Sequence, residues 1–383
     1  MRNRDGERGV ALLMVVLVIT LLTAVIIDFS FRTRLDSRLS ANVRDTALAS
    51  ALSRSGYEIA LSLLLDDAAA ATESGGTGGA PAENTAVSEL LQKARDEADA
   101  TEKSKKAGAP AGASGIDTLQ ESWARMDLLD LQLRPNESLR VEVDDLAGRV
   151  NVNAIIIRDA SGAQKLNRPV FDELKILVQE ALDSLDRKDE GEIKDFDGED
   201  FAYAVADWVD GDETRLSDGS FEDQYYNSLK DAYSSKNGPF DSVAELQLVE
   251  GVDDKLFALI RDAVTVYPFD GGGAINVNTA PERVLRSIGM RENDATSSPE
   301  PLSEESVGRI LDARKQGIGI ADLTEFRDLL GVDPTTAFSP TLGFASNVFR
   351  IRAVARVNES RSRLDAVIER KDGQPRVLYW RMD

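Results

Sequence analysis

One short stretch of the sequence is unusually rich in carboxylates: Asp207 to Asp223 reads DWVDGDETRLSDGSFED. Its acidic residues are Asp207, Asp210, Asp212, Glu213, Asp218, Glu222 and Asp223, with Arg215 as the one base. So many negative charges in one loop repel each other unless a cation binds them, and irregularly spaced carboxylate oxygens suit calcium. On composition alone, a solvated acidic loop in an acidic protein is slightly favoured over a metal site.

The calcium loop of EF-hand proteins does not fit this stretch. A loop of about twelve residues that starts at Asp210 would end at Phe221 and would place Arg215 where that motif requires glycine. A second acidic run, DFDGED from Asp195 to Asp200, is better explained as the start of a helix than as a set of metal ligands.

The composition excludes several classes of chemistry. The chain has 383 residues, no cysteine and no histidine, so it has no thiolate nucleophile, no disulfide and no imidazole base. Its net charge of -22 repels phosphate and disfavours nucleic acid as a partner. Two carboxylates could serve a glycosidase, but nothing in the sequence marks a sugar cleft. We expect a protein that binds and is not an enzyme.

The elements that would hold this acidic loop begin with a long helix. Val10 to Ile27 has no charged residue, glycine or proline and follows three arginines, which predicts a membrane-spanning helix with a cytoplasmic N-terminus. The helical pattern continues to Asp67, where Leu35, Leu39 and Val43 recur at four-residue spacing. A continuous helix, apolar first and amphipathic afterwards, is therefore predicted. The alternative is a plain signal anchor followed by a stalk.

Strand patterns lie at both ends of the remaining chain. Ser138–Asn153 alternates around a turn at Asp144 to Gly148, which predicts an antiparallel hairpin, and three alternating segments follow Phe349. Between them, helical patterns dominate. They cover Val170–Leu185, Phe201–Val209, Val243–Val249, Lys255–Val266, Pro281–Ile288, Glu304–Gln316 and Ala321–Leu330. Thr279 is the predicted N-cap of the helix that begins at Pro281.

The start of the chain resembles the class III signal of type IV pilins and pseudopilins, because Arg8-Gly9 directly precedes the apolar helix. The resemblance implies that a prepilin peptidase cuts between Gly9 and Val10. Members normally have glutamate at the fifth mature position, where this chain has Met14. That glutamate is thought to neutralise the buried amino terminus of the subunit above, so its loss indicates a subunit that enters first, at the tip.

Four further motifs resemble those of one branch of this family, the K-type minor pseudopilins of type II secretion systems. They are LAGRVNVN at Leu146–Asn153, DWVDGDE at Asp207–Glu213, NGPFDSVAEL at Asn237–Leu246 and INVNTAPERVL at Ile275–Leu285. The implied fold is α+β: a long pilin-like N-terminal helix and an antiparallel sheet with a large inserted all-helical domain. The expected parts are a leader at 1–9, a helix at 10–66, a low-complexity loop at 67–115, the sheet at 116–153 and 346–383, and the insert at 154–345.

The resemblance also implies ligands and partners. It favours calcium in the acidic loop, as one or two ions, with Asp210, Asp212, Asp218, Glu222 and Asp223 as the best ligands and Asp207 and Glu213 as weaker ones. The expected partners are the I-type and J-type minor pseudopilins, the major pseudopilin, the prepilin peptidase and the inner-membrane assembly platform. Met14, Leu35, Leu39 and Val43 are the candidate contacts, unless the last three pack on this chain's own sheet. The bulk of the chain is expected in the periplasm.

Two segments, Val243–Asp262 and Glu304–Gly331, are similar to helix-hairpin-helix modules, which in some proteins bind DNA. Here Glu250, Asp253 and Asp254 surround Gly251, so phosphate would be repelled. A minor pilin of a type IV pilus or a DNA-uptake system is the alternative function.

Overall fold

The computed structural model describes residues 5–72, 115–128, 130–185, 196–269, 272, 274–291, 298–371 and 374–383. Helix α1 (Asp5–Thr72) runs unbroken for 68 residues, which confirms the predicted continuous helix. Its segment Leu12–Asp66 contains an 18-residue window that is apolar enough to cross a membrane, with a mean hydropathy of 2.8. No residue of that window is buried against the rest of the described chain. The predicted low-complexity loop lies mostly outside the described residues.

The single glycine between Val10 and Asp67 has a packing role. A Cβ at Gly56 would lie 2.8 Å from a methyl group of Val141 and 3.1 Å from the Cβ of Ala353. Glycine in a helix interior costs roughly 0.5–1 kcal/mol relative to alanine. Here that cost is offset by the close approach of α1 to the sheet.

After α1 the chain forms a hairpin, β1 (Asp130–Arg134) and β2 (Glu137–Asp145), in which Gln132 pairs with Ser138. The hairpin predicted for Ser138–Asn153 is therefore wrong. Beyond β2 the chain leaves the sheet, and β3 (Val150–Asn151) pairs in parallel with Val264–Thr265. The alternating pattern was real, but the partner of each strand is remote in sequence or on the other side of β2.

The insert follows β2 and contains seven described α-helices and two 3-10 helices, Val152–Ile155 and Val243–Leu248. The α-helices are α2 (Arg168–Asp183), α3 (Gly198–Val209), α4 (Asp223–Ser228), α5 (Asp254–Ile260), α6 (Glu282–Ser287), α7 (Glu304–Lys315) and α8 (Leu323–Leu330). They enclose a core whose large buried side chains include Phe171, Phe201, Phe240 and Phe326.

The expectation of an all-helical insert is wrong, because short strands join its loops into four small sheets. These strands are β3, β4 (Ile156–Arg158), β5 (Gln164–Leu166), β6 (Val264–Thr265), β7 (Ile275–Asn276), β8 (Gly289–Arg291), β9 (Glu300–Pro301), β10 (Ala337–Ser339) and β11 (Leu342–Gly343). Strands of two or three residues are too short to show an alternating pattern.

Two helix predictions also need correction. The helix expected at Lys255–Val266 ends at Ile260, and β6 takes its last part. Thr279 does not cap α6, whose N-cap is Pro281 without a side-chain bond; the Thr279 hydroxyl instead donates to the carboxylate of Asp145. The predicted helix start at DFDGED is confirmed, because Asp197 forms a capping box with Asp200 at the start of α3.

The chain returns to the first sheet through β12 (Val348–Val357), β13 (Ser360–Lys371) and β14 (Gln374–Met382). The sheet order is β1-β2-β12-β13-β14, and all its pairs are antiparallel. Its inner face packs on α1 around Leu139, Phe349 and Ile351. The predicted α+β class, with a long helix, an antiparallel sheet and an insert, is confirmed.

Candidate functional site

The acidic loop begins in the last turn of α3. Asp207 lies in that turn, Asp210 is the C-cap residue, and the chain then reverses through a turn at Gly219, which has a φ of 75°. An isolated bridge between Thr214 and Phe221 closes the loop. This reversal brings Glu222, the residue before α4, back beside the end of α3.

Three carboxylates converge at this point. One oxygen from each of Asp207, Asp210 and Glu222 lies within 4.8 Å of the other two. The three side chains are buried, with relative exposures of 7%, 3% and 2%. The nearby Arg215 forms its ion pair with Glu250 and not with any of these three carboxylates. Among the described residues this is the only group of acidic side chains with the spacing of a metal site.

Burial raises the pKa of each of these groups, and the negative charges of nearby carboxylates raise it further. Loss of solvent is the main cause throughout, and it raises the pKa of Asp207 to about 6, although the amide of Leu216 and Arg215 oppose the shift. The charges of Asp212 and Asp207 add to burial in raising the pKa of Asp210 to about 7. Burial and the charge of Asp210 raise the pKa of Glu222 to about 8. Without a cation, the site therefore resists full ionisation.

The free oxygens of the cluster indicate what it lacks. Asp210 Oδ1 and Glu222 Oε1 are buried and have no hydrogen-bond partner. Asp207 Oδ1 accepts one hydrogen bond, from the amide of Leu216 at 3.0 Å. Glu222 Oε2 lies 3.3 Å from the hydroxyl oxygen of Ser235, whose single hydrogen is directed to the nearer Asn237 Oδ1 at 2.6 Å. Buried acceptors without donors are rare in proteins. A hard divalent cation would satisfy these oxygens, so the residues fit calcium.

The other predicted ligands bond elsewhere. Asp212 and Asp218 accept from the amides of Thr214 and Ser220, each at 2.8 Å, within their own turns. Asp223 accepts from the amide of Ser235 at 2.7 Å, and the exposed side chain of Glu213 lies outside the cluster. The cluster thus joins two of the favoured ligands, Asp210 and Glu222, with the less favoured Asp207.

Two residues beyond the acidic stretch complete the site, and sequence reasoning did not identify them. Ser235 donates to Asn237 Oδ1 at 2.6 Å, and Asn237 Nδ2 donates to the carbonyl of Asp212 at 2.8 Å. Asn237 has a φ of 48°, in the left-handed region. The signal that could have found it is the NGPFD motif, which begins at this residue.

Three aromatic side chains, Trp208, Tyr226 and Phe240, pack together next to the site. Trp208 lies between Asp207 and Val209 on α3; its ring stacks on Phe240 with a centroid distance of 6.0 Å and meets Tyr226 edge-on at 5.6 Å. Both Trp208 and Tyr226 are buried. The contact between Trp208 and Tyr226 packs the end of α3 against α4, the two helices next to Asp210 and Glu222.

The candidate partner contacts lie on α1. Met14, Leu35, Leu39 and Val43 have relative exposures of 66%, 47%, 54% and 70%. The alternative that the last three pack on this chain's own sheet is excluded, because they are solvent-exposed and the sheet contacts α1 further along. Polar contacts with the β12–β13 turn begin at Asp45, and the shared apolar core extends from Leu48 to Leu64. Gly9 and Val10 lie within α1, but their side-chain surroundings are outside the described residues.

Comparison with known proteins gives a consistent result. A family model described as Type II secretion system (T2SS), protein K, matches residues 148–269, which include the acidic loop. Type II secretion system protein K of Pseudomonas aeruginosa is 26% identical over 98% of this chain and 92% of its own length. The protein of the same name from Aeromonas hydrophila is 24% identical over 69% of this chain and 76% of its own length.

A third relative and one solved structure complete the comparison. Type II secretion system protein K of Pectobacterium carotovorum is 34% identical over 21% of this chain and 24% of its own length. One chain of the crystal structure of the GspK-GspI-GspJ complex from enterotoxigenic Escherichia coli is 19% identical, with a TM-score of 0.46, and the match covers 78% of this chain and 99% of that one. By its sequence, this chain is similar to protein K of type II secretion systems, over the residues of the family model and over nearly its whole length in the Pseudomonas aeruginosa relative.

Proposed function

We propose that this protein caps the pseudopilus of a type II secretion system and helps to start its assembly, as part of a tip complex. It would be anchored by α1 in the bacterial inner membrane, with the sheet and the insert in the periplasm. Its role would be to bind other subunits and not to catalyse a reaction. The position of the insert is the observation that carries this proposal.

The insert lies at the end of the sheet farthest from the apolar part of α1. The chain leaves the sheet at Asp145 and returns at Val348, and beside this junction Arg370 Nη1 donates to the carbonyl of Leu64 at 3.0 Å. At the other end of the sheet, Asn358 Nδ2 donates to Asp45 Oδ2 at 2.8 Å. At about 1.5 Å per residue, Leu64 lies roughly 55 Å along α1 from Ile27. A domain at this height would obstruct a subunit stacked above it.

Met14 also supports a place for this subunit at the tip of the pseudopilus. Met14 cannot neutralise the amino terminus of a neighbouring subunit, whereas the glutamate usual in the wider family can. A subunit that enters first has no neighbour above it and does not need that charge. We further propose that a prepilin peptidase cuts between Gly9 and Val10 before assembly.

The exposed stripe on α1 supports a helix-mediated contact with other subunits. Leu35, Leu39 and Val43 are solvent-exposed apolar residues at four-residue spacing, which is the pattern of a helix that packs on another helix. The proposed partners are the I-type and J-type minor pseudopilins, followed by the major pseudopilin and the inner-membrane assembly platform.

We also propose that the acidic site binds calcium through Asp207, Asp210 and Glu222. The ion would supply positive charge to buried oxygens that lack donors. Its contribution is structural, because it would hold the end of α3 against the start of α4. The proposal is for one ion, because Asp212 and Asp218 bond within their own turns, away from the three converging carboxylates.

The helix contact can be tested with a matched pair of variants in the full chain. Leu39→Glu places a charge in the stripe and should abolish co-purification with the I-type and J-type subunits of the same system. Ser37→Glu adds the same charge about 200° around the helix and should leave the complex intact. Intact complexes with both variants would contradict the contact assignment.

The tip position needs a separate measurement. An antibody against the insert should label one end of isolated pseudopili in electron micrographs. Labelling along the whole length would show a subunit distributed through the filament and would overturn the proposed capping role.

A further inference from the structure

The outer face of the five-stranded sheet, the side away from α1, is rich in arginine although the chain has a net charge of -22. The strand register defines this face, because residues that alternate with the buried ones point outward. Arg140 on β2 and Arg363 on β13 both pair with Val354 of β12, and Arg356 pairs directly with Arg361 in the next row. These four arginines are exposed.

The end of this face near the insert is electrically balanced. Arg352 lies 2.7 Å from Asp144 and 3.4 Å from Glu142, and Arg350 forms a close ion pair with Asp365. Each outward arginine in these rows therefore has a carboxylate on a neighbouring strand, as expected for a sheet face that only needs to be soluble.

The end near the β12–β13 turn is not balanced. Arg356 and Arg361 form no ion pair with any residue that the structure describes, although acids outnumber bases in the chain by 67 to 45. Arg140 and Arg363 each form an ion pair with an acidic residue two positions along their own strand, toward the insert. The distances are 3.0 Å from Arg140 to Glu142 and 3.3 Å from Arg363 to Asp365. Like charges directly opposite one another destabilise a sheet. The Arg356–Arg361 pair thus has a cost that nothing within the described chain offsets.

The same arginines border a shallow depression of about 380 Å³. Its lining also includes the half-buried Val354, and Glu142 with Arg352 from the balanced end of the face. Because arginines outnumber carboxylates in this lining, it suits a ligand that has several carboxylates and little bulk. Each guanidinium can donate two parallel hydrogen bonds to one carboxylate.

We propose that this arginine face, Arg140, Arg356, Arg361 and Arg363, is a docking surface for an acidic polypeptide segment of a partner protein. Bound carboxylates would remove the repulsion between Arg356 and Arg361. Charge complementarity determines the partner's chemistry, and the open, shallow shape of the depression fits an extended segment better than a compact small molecule.

The position of the face argues against lipid headgroups as its ligand. The adjoining turn is fixed to α1 at Asp45 through Asn358, and Asp45 lies about 27 Å along the helix from Ile27, the end of the apolar run. Electrostatic attraction at physiological ionic strength decays over about 8 Å. A face at this height is out of reach of the headgroups around the anchor.

The test uses the full chain in neutral detergent micelles and a fluorescent oligoglutamate peptide, with oligoglutamine of equal length as the neutral reference. Oligoglutamate should bind the wild type and should bind less tightly at high salt. The double variant Arg356→Gln/Arg361→Gln should weaken binding by about tenfold or more. The control Arg158→Ser/Arg261→Ser removes the same charge from exposed positions of the insert and should bind as the wild type does.

Each other outcome overturns the proposal. Equal loss in both double variants would show a general effect of net charge, and unchanged affinity in Arg356→Gln/Arg361→Gln would place binding elsewhere. Binding to vesicles that contain phosphatidylglycerol is measured last, to distinguish a lipid surface from a polypeptide as the ligand. If they bind through Arg356 and Arg361 while oligoglutamate does not bind the wild type, the ligand is a lipid surface and not a polypeptide. Tryptophan fluorescence confirms that each variant is folded.

Discussion

Asp117 and Arg370 form an interior ion pair between residues far apart in the sequence: Arg370 Nη2 lies 2.7 Å from Oδ1 and 2.9 Å from Oδ2 of Asp117. Asp117 is 2% exposed. It also accepts from the amide of Ser346 at 2.6 Å, while Arg370 donates to the carbonyls of Leu64 and Ser346. The pair thus connects α1, β13 and the segment where the insert returns to the sheet.

Removal of this arginine should strongly destabilise the fold. Arg370→Met leaves the carboxylate of Asp117 buried without its cation, and loss of one partner of a buried pair costs about 3–5 kcal/mol. Urea denaturation followed by tryptophan fluorescence measures the change. Arg381→Met, which breaks an exposed pair with Asp383, is the control and should change the free energy of unfolding far less, because water screens an exposed ion pair. Equal effects would mean that the interior pair adds nothing beyond a surface pair.

Calcium should stabilise the protein through the three converging carboxylates. At a calcium concentration about 100 times the Kd, linkage raises the free energy of unfolding by about 2.7 kcal/mol. The double variant Asp210→Asn/Glu222→Gln should lose this increase, as measured by calorimetric titration and by the shift in Tm. Asp218→Asn alters an exposed carboxylate of the same loop that bonds within its own turn. If Asp218→Asn abolishes calcium binding as well, the ion lies further along the loop than proposed.

Glu173 should make stability depend on pH. Burial raises the pKa of Glu173 well above its ordinary value, and both of its carboxylate oxygens lack hydrogen-bond partners. Because the folded-state pKa is the higher one, stability is greatest below the unfolded pKa of about 4.3 and falls as the pH rises through the folded pKa.

The variant Glu173→Gln cannot ionise, so its stability relative to the wild type should increase from pH 5 to pH 8. Thermal unfolding at both pH values, in the absence of calcium, measures this difference. Asp183→Asn removes an exposed carboxylate of the same helix and should follow the wild-type profile. A constant difference between Glu173→Gln and the wild type across this range would refute the assignment.

The mature chain should begin at Val10. Intact mass spectrometry of the membrane-extracted protein should show loss of the first nine residues, with a methyl group on the new amino terminus. Co-expression without the prepilin peptidase should restore the uncut mass, and Gly9→Arg should block cleavage when the peptidase is present. A wild-type chain that retains Arg8 and Gly9 in the presence of the peptidase would indicate a simple anchor.

The sequence pattern was sufficient to predict a helix or strand wherever its hydrophobic period is repeated over many residues. The absence of proline and the apolar run predict α1, and strict alternation predicts β12, β13 and β14 within a few residues. The same alternation in β2 led to a wrong partner, because a strand's pattern indicates its buried face and not the strand beside it.

The sequence by itself determined that a long apolar helix begins the chain, that strands end it, and that seven carboxylates crowd one loop. Only the tertiary structure decided that Asp207, Asp210 and Glu222 converge while Asp212 and Asp218 turn to their own backbone. It likewise decided that Arg356 faces Arg361 across two strands. The physical reason is that periodicity acts through neighbours in the chain, whereas these contacts depend on turns and strand pairing that bring distant residues together.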